Sequence, residues 1–276
     1  MLKSFMHTFT PPMRHGVTAS QVFLPAQSTA LTLYQHLCQH FPHITPAEWQ
    51  QRFDDHLIYS ATGEILTMDC AYAPYANQVL YYYRHLAHET VVPFDHHILF
   101  ENDDLLVVDK PHFLTMSPTG QYVQQTLLTR LKQHTQNPQL SPIHRLDRET
   151  AGIVLFCKRA EQRGVYQQLF AQHQVQKIYH AIAPYRADLV LPQTVQLHLQ
   201  KGEPFYTMHI CSHATPNSET EIEILHLEPQ RRWAKYQLKP KTGKQHQLRV
   251  HLNYLGIPIL HDTLYPQVQH KAADDF

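Results

Sequence analysis

Residues 141–156 read SPIHRLDRETAGIVLF. One carboxylate, Asp147, sits between Arg145 and Arg148, and the apolar run Ile153, Val154, Leu155, Phe156 follows closely. Such a run, bounded by turn-forming residues, predicts a buried strand. Asp147 then lies on the loop feeding that strand, where a rigid element can hold a working side chain steady. Two readings of the carboxylate stand here. It closes a salt-bridged turn, or it is a catalytic acid held ionised by the guanidiniums beside it.

Working outward, HHILFENDDLLVVDKP predicts a strand, an Asn-Asp-Asp turn and a second strand stopped by Pro111. GQYVQQTLLTRLKQH has Val123, Leu127 and Leu131 at four-residue spacing and reads as a helix. Downstream, AEQRGVYQQLFAQH reads as a helix weakened by Gly164, KIYHAIAPY as a strand up to Pro184, and RRWAKYQLKP as another strand. In KTGKQHQLRVHLNYLG, Leu248, Leu252 and Leu255 fit a helix, whereas Leu248, Val250, Leu252 and Tyr254 fit a strand. Thr242 as an N-cap and Gly256 as a stop favour the helix. Residues 1–30, with Pro11, Pro12 and Pro25, read as an extended arm. Residues 31–90 read as a small α/β module, with two short helices, a hairpin turning at Gly63 and the strand QVLYYYR. Residues 91–276 form the main domain, and the whole is α+β.

Composition narrows the function classes. The chain has 276 residues with 43% hydrophobic and 17% charged content, enough to bury a core. Lys+Arg and Asp+Glu are both 23, so no global polycation argues for nucleic acid. Cys38, Cys70, Cys157 and Cys211 have neither disulfide-framework nor zinc-ribbon spacing. The N-terminus lacks the apolar stretch of a signal peptide, and no run approaches the ~18 residues of a membrane span. A cytoplasmic monomer without membrane contact is the expectation. His36, Cys38, His40 and His43 cluster, but no carboxylate or second Cys completes a metal set, so structural or solvated histidines are expected.

Cofactor signatures are missing from the sequence. The eight glycines include no pair separated by one residue, so there is no dinucleotide fingerprint, and no phosphate loop or nucleophile elbow appears. Chemistry by side chains alone, with no cofactor, is expected. Charge does cluster locally. Arg231, Arg232, Lys235, Lys239, Lys241, Lys244 and Arg249 follow one another with no Asp or Glu between, and Trp233, Tyr236 and Tyr254 are interleaved. Cations and flat rings suit RNA phosphates and unstacked bases. A solvated basic face fits equally. A turn at Thr242-Gly243 opening a helix would aim N–H groups at a phosphate, with Gln245 and Arg249 neighbours on that helix.

Four ordered segments carry a resemblance. HRLDRETAG resembles the HRLDxxTSG signature of the RluA-type pseudouridine synthases. DDLLVVDKPHFLTMSP resembles that family's lead-in hairpin, KIYHAI its KxYxA strand, and PKTGKQHQLRVHLNYLGIPILHDTLY its TGRxHQIRxHLxxLGxPIxGDxxY segment. The likeness covers roughly residues 92–266. It implies a pseudouridine-synthase fold: a central, mixed but mostly antiparallel sheet with flanking helices and a cleft, preceded by a faintly S4-like module at 31–90. It implies a reaction on rRNA or tRNA in which the N1–C1′ bond of a uridine breaks, the base turns, and C5 bonds to C1′, without cofactor or metal.

The resemblance assigns roles. Asp147 matches the catalytic aspartate, acting as nucleophile at C1′ or as base at C2′. Arg249 matches the arginine that ion-pairs with it, and Tyr179 the tyrosine stacked on the target base. RNA contacts are implied for Arg145, which enters the RNA where the base leaves, and for Arg148, Lys177, Lys244, His246 and Leu248. The chain departs from the pattern at Ala151, where serine is usual, at Lys244 for arginine, at His261 for glycine and at Ser117 for histidine. Lys244 keeps charge but loses the planar fork. The module carries Glu48, Asp54 and Asp55 against Arg52 and Arg84, a poor phosphate binder. Two other readings remain: an RNA-binding protein of this fold without activity, and a cofactor-free hydrolase, which needs a second acid or base that no nearby motif supplies.

Overall fold

The computed structural model describes residues 9–84, 86 and 89–270. The chain divides into two compact units, Met1–Gln162 and Arg163–Phe276. The first begins with β1 (Ser20–Phe23), α1 (Leu33–His40), α2 (Pro46–Asp54), β2 (Ile58–Tyr59) and β3 (Val79–Tyr82). Both helices open on capping boxes: Thr32 with Gln35, and Thr45 with Glu48 behind Pro46. The strands form an antiparallel sheet in the order β1-β3-β2. Leu33, Leu37, Trp49, Phe53, Ile58 and Leu80 fill a core belonging to this part alone.

Residues within 1–30 do more than extend as an arm. Ser20–Phe23 pairs along the whole of β3. Val17 joins Leu57, Tyr59, Tyr81, Tyr83 and Val123 in a second cluster. Gly16, at φ +78, passes so close to the helix at Leu127–Thr135 that a Cβ would collide with the Thr129 carbonyl. Nothing in this arrangement establishes the S4 likeness. In the histidine cluster, His36 is buried, hydrogen-bonds Ser28 Oγ at 3.0 Å and stacks on His40.

The rest of the first unit is the sheet that carries the loop of Asp147. It comprises β4 (His97–Glu101), β5 (Leu105–Lys110), α3 (Leu127–Thr135), β6 (Ser141–Pro142) and β7 (Gly152–Cys157), with sheet order β4-β5-β7-β6. Helix α3 starts later than its sequence spacing suggests, because Thr126 caps it and leaves Val123 in the preceding loop. Period-two alternation sends Leu106, Val108 and Lys110 of β5 to the buried side, against Val154 and Phe156 of β7.

The second unit holds α4 (Arg163–Ala171), β8 (Tyr179–Pro184), β9 (Gln193–Leu197), β10 (Leu199–Lys201), β11 (Met208–Ile210), β12 (Ser218–Leu227), β13 (Trp233–Pro240) and α5 (Gln247–Tyr254). Its main sheet runs β8-β13-β12-β9, and β10-β11 is a separate hairpin. The strands paired among the described residues are all antiparallel. They form a three-stranded and a four-stranded sheet in the first unit and a four-stranded sheet with a hairpin in the second, where a central, mixed but mostly antiparallel sheet was expected. Ala183, Ile222, Ala234, Tyr236, Val250, Leu252 and Ile257 form the core under α5. The helical reading of 247–254 holds, and Gly256 at φ +72 ends the helix as expected.

His251 lies fully buried in that core. The Ser218 hydroxyl donates to Leu197 O at 2.6 Å, so its oxygen accepts from His251 Nε2 at 2.9 Å. That assigns the proton to Nε2 and leaves Nδ1 bare in an apolar site. Burial pushes the imidazole from 6.5 down to about 4. Between those values the unfolded chain binds the extra proton and the folded chain does not. Stability therefore falls as pH drops from 6.5 to 4, by about 3 kcal/mol at most. Urea midpoints at pH 7 and pH 5 should show this slope, and His251→Gln should flatten it.

Candidate active site

The loop of Asp147 is tied down from beneath. Lys110, the last residue of β5, is fully buried although it carries an ammonium. Its Nζ donates to Pro111 O at 2.9 Å, Leu114 O at 2.9 Å and Arg148 O at 3.1 Å. One cation thus joins the turn after β5 to the residue following Asp147. Burial lowers the Lys110 pKa to about 8, opposed by the carboxylates of Glu149 and Asp147. Further ties act at the same place. Thr150 N–H donates to Asp147 O at 3.1 Å, His112 Nδ1 meets Glu149 O at 2.5 Å, and Leu155 N–H donates to His144 Nε2 at 3.2 Å. Asp147 is partly exposed on this braced turn.

The two flanking arginines differ. Arg145 is exposed and able to reach a ligand. Arg148 lies over the rings of Phe113 and Tyr122, at 5.8 and 5.7 Å, and 3.6 Å from Glu149. Its side chain packs the loop in addition to any RNA contact. The cation that the sequence reading left without a role is Lys110. Its signal was present, since alternation through LLVVDK puts that lysine on the core side.

In the second unit, Tyr179 opens β8 opposite Leu238 and packs against the core. Lys177, just before it, is half-buried and donates to Thr242 O at 2.8 Å, and burial lowers its pKa. Thr242 is not the N-cap of α5. That position is His246, in left-handed conformation, and the helix starts at Gln247. The reason is the Gln247 side chain. Its oxygen accepts from Thr242 Oγ1 at 2.7 Å and Lys244 N at 3.0 Å, while its amide donates to Glu219 O and Thr220 Oγ1, each at 2.9 Å. The Lys244 N–H is therefore used inside the turn and is not aimed at a phosphate. Gln245 lies outside the helix and donates to Tyr206 O at 3.4 Å. The Lys244 side chain is exposed, and Leu248 packs partly into the core.

Arg249 is 8% exposed and forms a two-pronged pair with Asp262. Nε donates to Oδ2 at 2.7 Å and Nη2 to Oδ1 at 2.6 Å. Oδ1 also accepts from Leu264 N at 2.8 Å and Tyr265 N at 3.1 Å. The guanidinium lies 5.4 Å from the Tyr265 ring, and the Tyr265 hydroxyl meets His246 Nδ1 at 2.9 Å. Asp262 thus fixes the plane of Arg249 and leaves its Nη1 edge outside this pair. Asp262 and Tyr265 stand in the segment HDTLY, and no local spacing links them to Arg249.

The basic stretch is less free than its sequence suggests. Its strand, β13, pairs with β12, which carries Glu219, Glu221 and Glu223 at alternate positions. Lys239 meets Glu221 at 3.0 Å and Glu223 at 2.8 Å, Lys241 meets Glu219 at 3.4 Å, and Arg232 meets Glu228 at 3.9 Å. Except for the Arg232–Glu228 pair, four residues apart, these partners sit far away in sequence, so local charge counting misses them.

A family model described as RNA pseudouridylate synthase matches residues 104–254, which span the Asp147 loop, Tyr179 and Arg249. The chain belongs to that family. It is 32% identical over 232 residues to an uncharacterized RNA pseudouridine synthase of Synechocystis, covering 82% of this chain and 77% of that protein. The tRNA pseudouridine synthase C of Vibrio parahaemolyticus is 28% identical over 66% of this chain and 78% of its own length. Mouse pseudouridylate synthase RPUSD2 is 31% identical over 66% of this chain, which spans only 32% of that longer protein. Among solved structures, the human RNA pseudouridylate synthase domain containing 1 is similar with a TM-score of 0.53 and 25% identity, over 66% of this chain and 74% of that one. The pseudouridine-synthase fold and α+β class expected from the motifs stand. No helix among the described residues is long and apolar enough to cross a membrane.

For this family member the Asp262 pair gives a direct expectation. Asp262→Asn keeps the shape but removes the charge that orients Arg249. The turnover rate should fall about 10-fold or more while KM for RNA changes little, and Asp262→Glu should recover part of the loss. Steady-state kinetics on one modified transcript separates this from general destabilisation.

Proposed function

We propose that the protein isomerises uridine to pseudouridine at selected sites in structured RNA, rRNA or tRNA, with Asp147 as the catalytic carboxylate and side chains alone supplying the chemistry. The supporting observation is the braced turn: Asp147 stands partly exposed on a loop whose backbone is clamped by the buried Lys110 ammonium. Positioning of that kind is what a reacting carboxylate requires. In this reading Asp147 removes the C2′ proton, the N1–C1′ bond opens to a glycal and a uracil anion, the base turns, and C5 bonds to C1′ as Asp147 returns the proton to C2′. The hydrogen first on C5 then leaves to solvent. Tyr179 stacks on the turning base, and Arg249 sets the electrostatics of the reacting carboxylate. Exposed Arg145 takes the place of the extruded base. Lys177, Lys244 and His246 contribute to the RNA-binding surface, and Leu248 to the packing around the base.

The tRNA activity named for the Vibrio relative supports testing tRNA beside rRNA. Unmodified transcripts of both, incubated with the protein and digested to nucleosides, should yield pseudouridine on one class at a defined position. Tight RNA binding with no pseudouridine on either class, or on ribosome assembly intermediates, would instead mark a binding protein without activity.

A further inference from the structure

The β10–β11 hairpin stands apart from the main sheet of the second unit, and its tip is tightly wound. Gly202 N–H donates to Thr207 O at 3.0 Å, and both the N–H and the hydroxyl of Thr207 donate to Pro204 O at 2.8 Å. With the turn fixed in this way, Phe205 is left 81% exposed, with the Tyr206 ring edge-on at 5.4 Å. Beside the hairpin lies a groove of about 760 Å³, lined by Lys201, Met208, His209, Val250, Asn253 and Tyr265 among others. A nucleotide fits such a volume, and a lining that mixes polar side chains with Met208, Val250 and the Tyr265 ring offers both hydrogen bonds and apolar contact to a base. The exposed Lys201 in this lining supplies a cation for the phosphate of such a nucleotide.

Two contacts join this groove to the Arg249 cluster. Tyr265 forms part of its wall, accepts from Met208 N at 2.8 Å, and lies under the Arg249 guanidinium. Tyr206 O accepts from Gln245, four residues before Arg249. The tip and the groove are therefore continuous with the Arg249 cluster.

We infer that this groove is a second nucleotide subsite: it takes an unpaired nucleotide of the RNA near the target uridine, while the neighbouring base stacks on Phe205. The inference rests on the proposed RNA-modifying function and adds to it a preference for single-stranded substrate regions. Stacking on an exposed ring is tolerant of sequence, so the subsite reads unpairedness more than base identity.

The test uses the full chain, with Phe205→Ala and Lys201→Gln. Both side chains are exposed, so the melting temperature should stay unchanged. The probe is a fluorescent six-nucleotide oligouridine, read by anisotropy, with a fully paired RNA duplex as control. Each variant should weaken oligouridine binding about tenfold and leave duplex binding unchanged. On a transcript that the wild type modifies, KM should rise with kcat unaltered. Unchanged oligouridine affinity in both variants, or no binding by the wild type, overturns the subsite. A wild type that binds oligouridine through these residues yet makes no pseudouridine on any transcript sinks the catalytic reading and leaves the subsite standing.

Discussion

Asp147→Asn should abolish pseudouridine formation, lowering turnover by roughly 10³-fold or more, while RNA affinity stays within about twofold of wild type. The amide is the same size as the carboxylate but neither attacks carbon nor takes a proton. The turn that presents it is held by backbone contacts: Lys110 binds Arg148 O, and Thr150 N–H binds Asp147 O. None of these uses the Asp147 side chain, so the loop should keep its form. Nucleoside analysis of one transcript, with binding measured in parallel, separates chemistry from recognition. Residual activity near wild type would move the reacting group elsewhere in the protein.

Lys110→Met should be the most damaging substitution away from the reacting residue. Methionine fills the space but donates nothing, so Pro111, Leu114 and Arg148 lose a shared donor in the interior. Leaving buried carbonyls without their donor costs about 1–3 kcal/mol. Denaturant titration should show that loss. Turnover should fall with it under conditions where the variant remains folded, because the segment carrying Asp147 is no longer pinned to β5. The pH dependence follows from the pKa of about 8, depressed from 10.5. Between those values the unfolded chain holds a proton on Lys110 that the folded chain has lost. The stability of the wild type relative to Lys110→Met should therefore rise with pH through that window. A variant as stable and as active as wild type would show that the clamp is dispensable.

Much of this was legible in the sequence because it depends on local order. Apolar runs bounded by turn residues mark β4, β5 and β7, alternation marks β8 and β13, and Leu248, Leu252 and Gly256 mark α5 with its end. The four motifs gave the family. What escaped reading depends on residues distant in the chain. The start of α5 moved to Gln247 because that side chain braces Thr242, Lys244 and β12 at once. The basic stretch is partly neutralised by glutamates that become neighbours only when β12 pairs with β13. Asp262 is thirteen residues from Arg249, beyond any helical or strand periodicity. Lys110 was visible as a core-facing position, but its three carbonyl partners come from two separated segments.

The most direct measurement follows the hydrogen on C5. RNA transcribed with uridine tritiated at C5 would be incubated with the wild-type protein, and tritium in water, pseudouridine and free uracil would be counted together. Isomerisation replaces the C5–H bond by C5–C1′, so tritium released should equal pseudouridine formed, with the RNA chain intact and no uracil set free. Uracil released with its tritium retained would identify a hydrolase, and neither product on any rRNA or tRNA would contradict catalysis by Asp147.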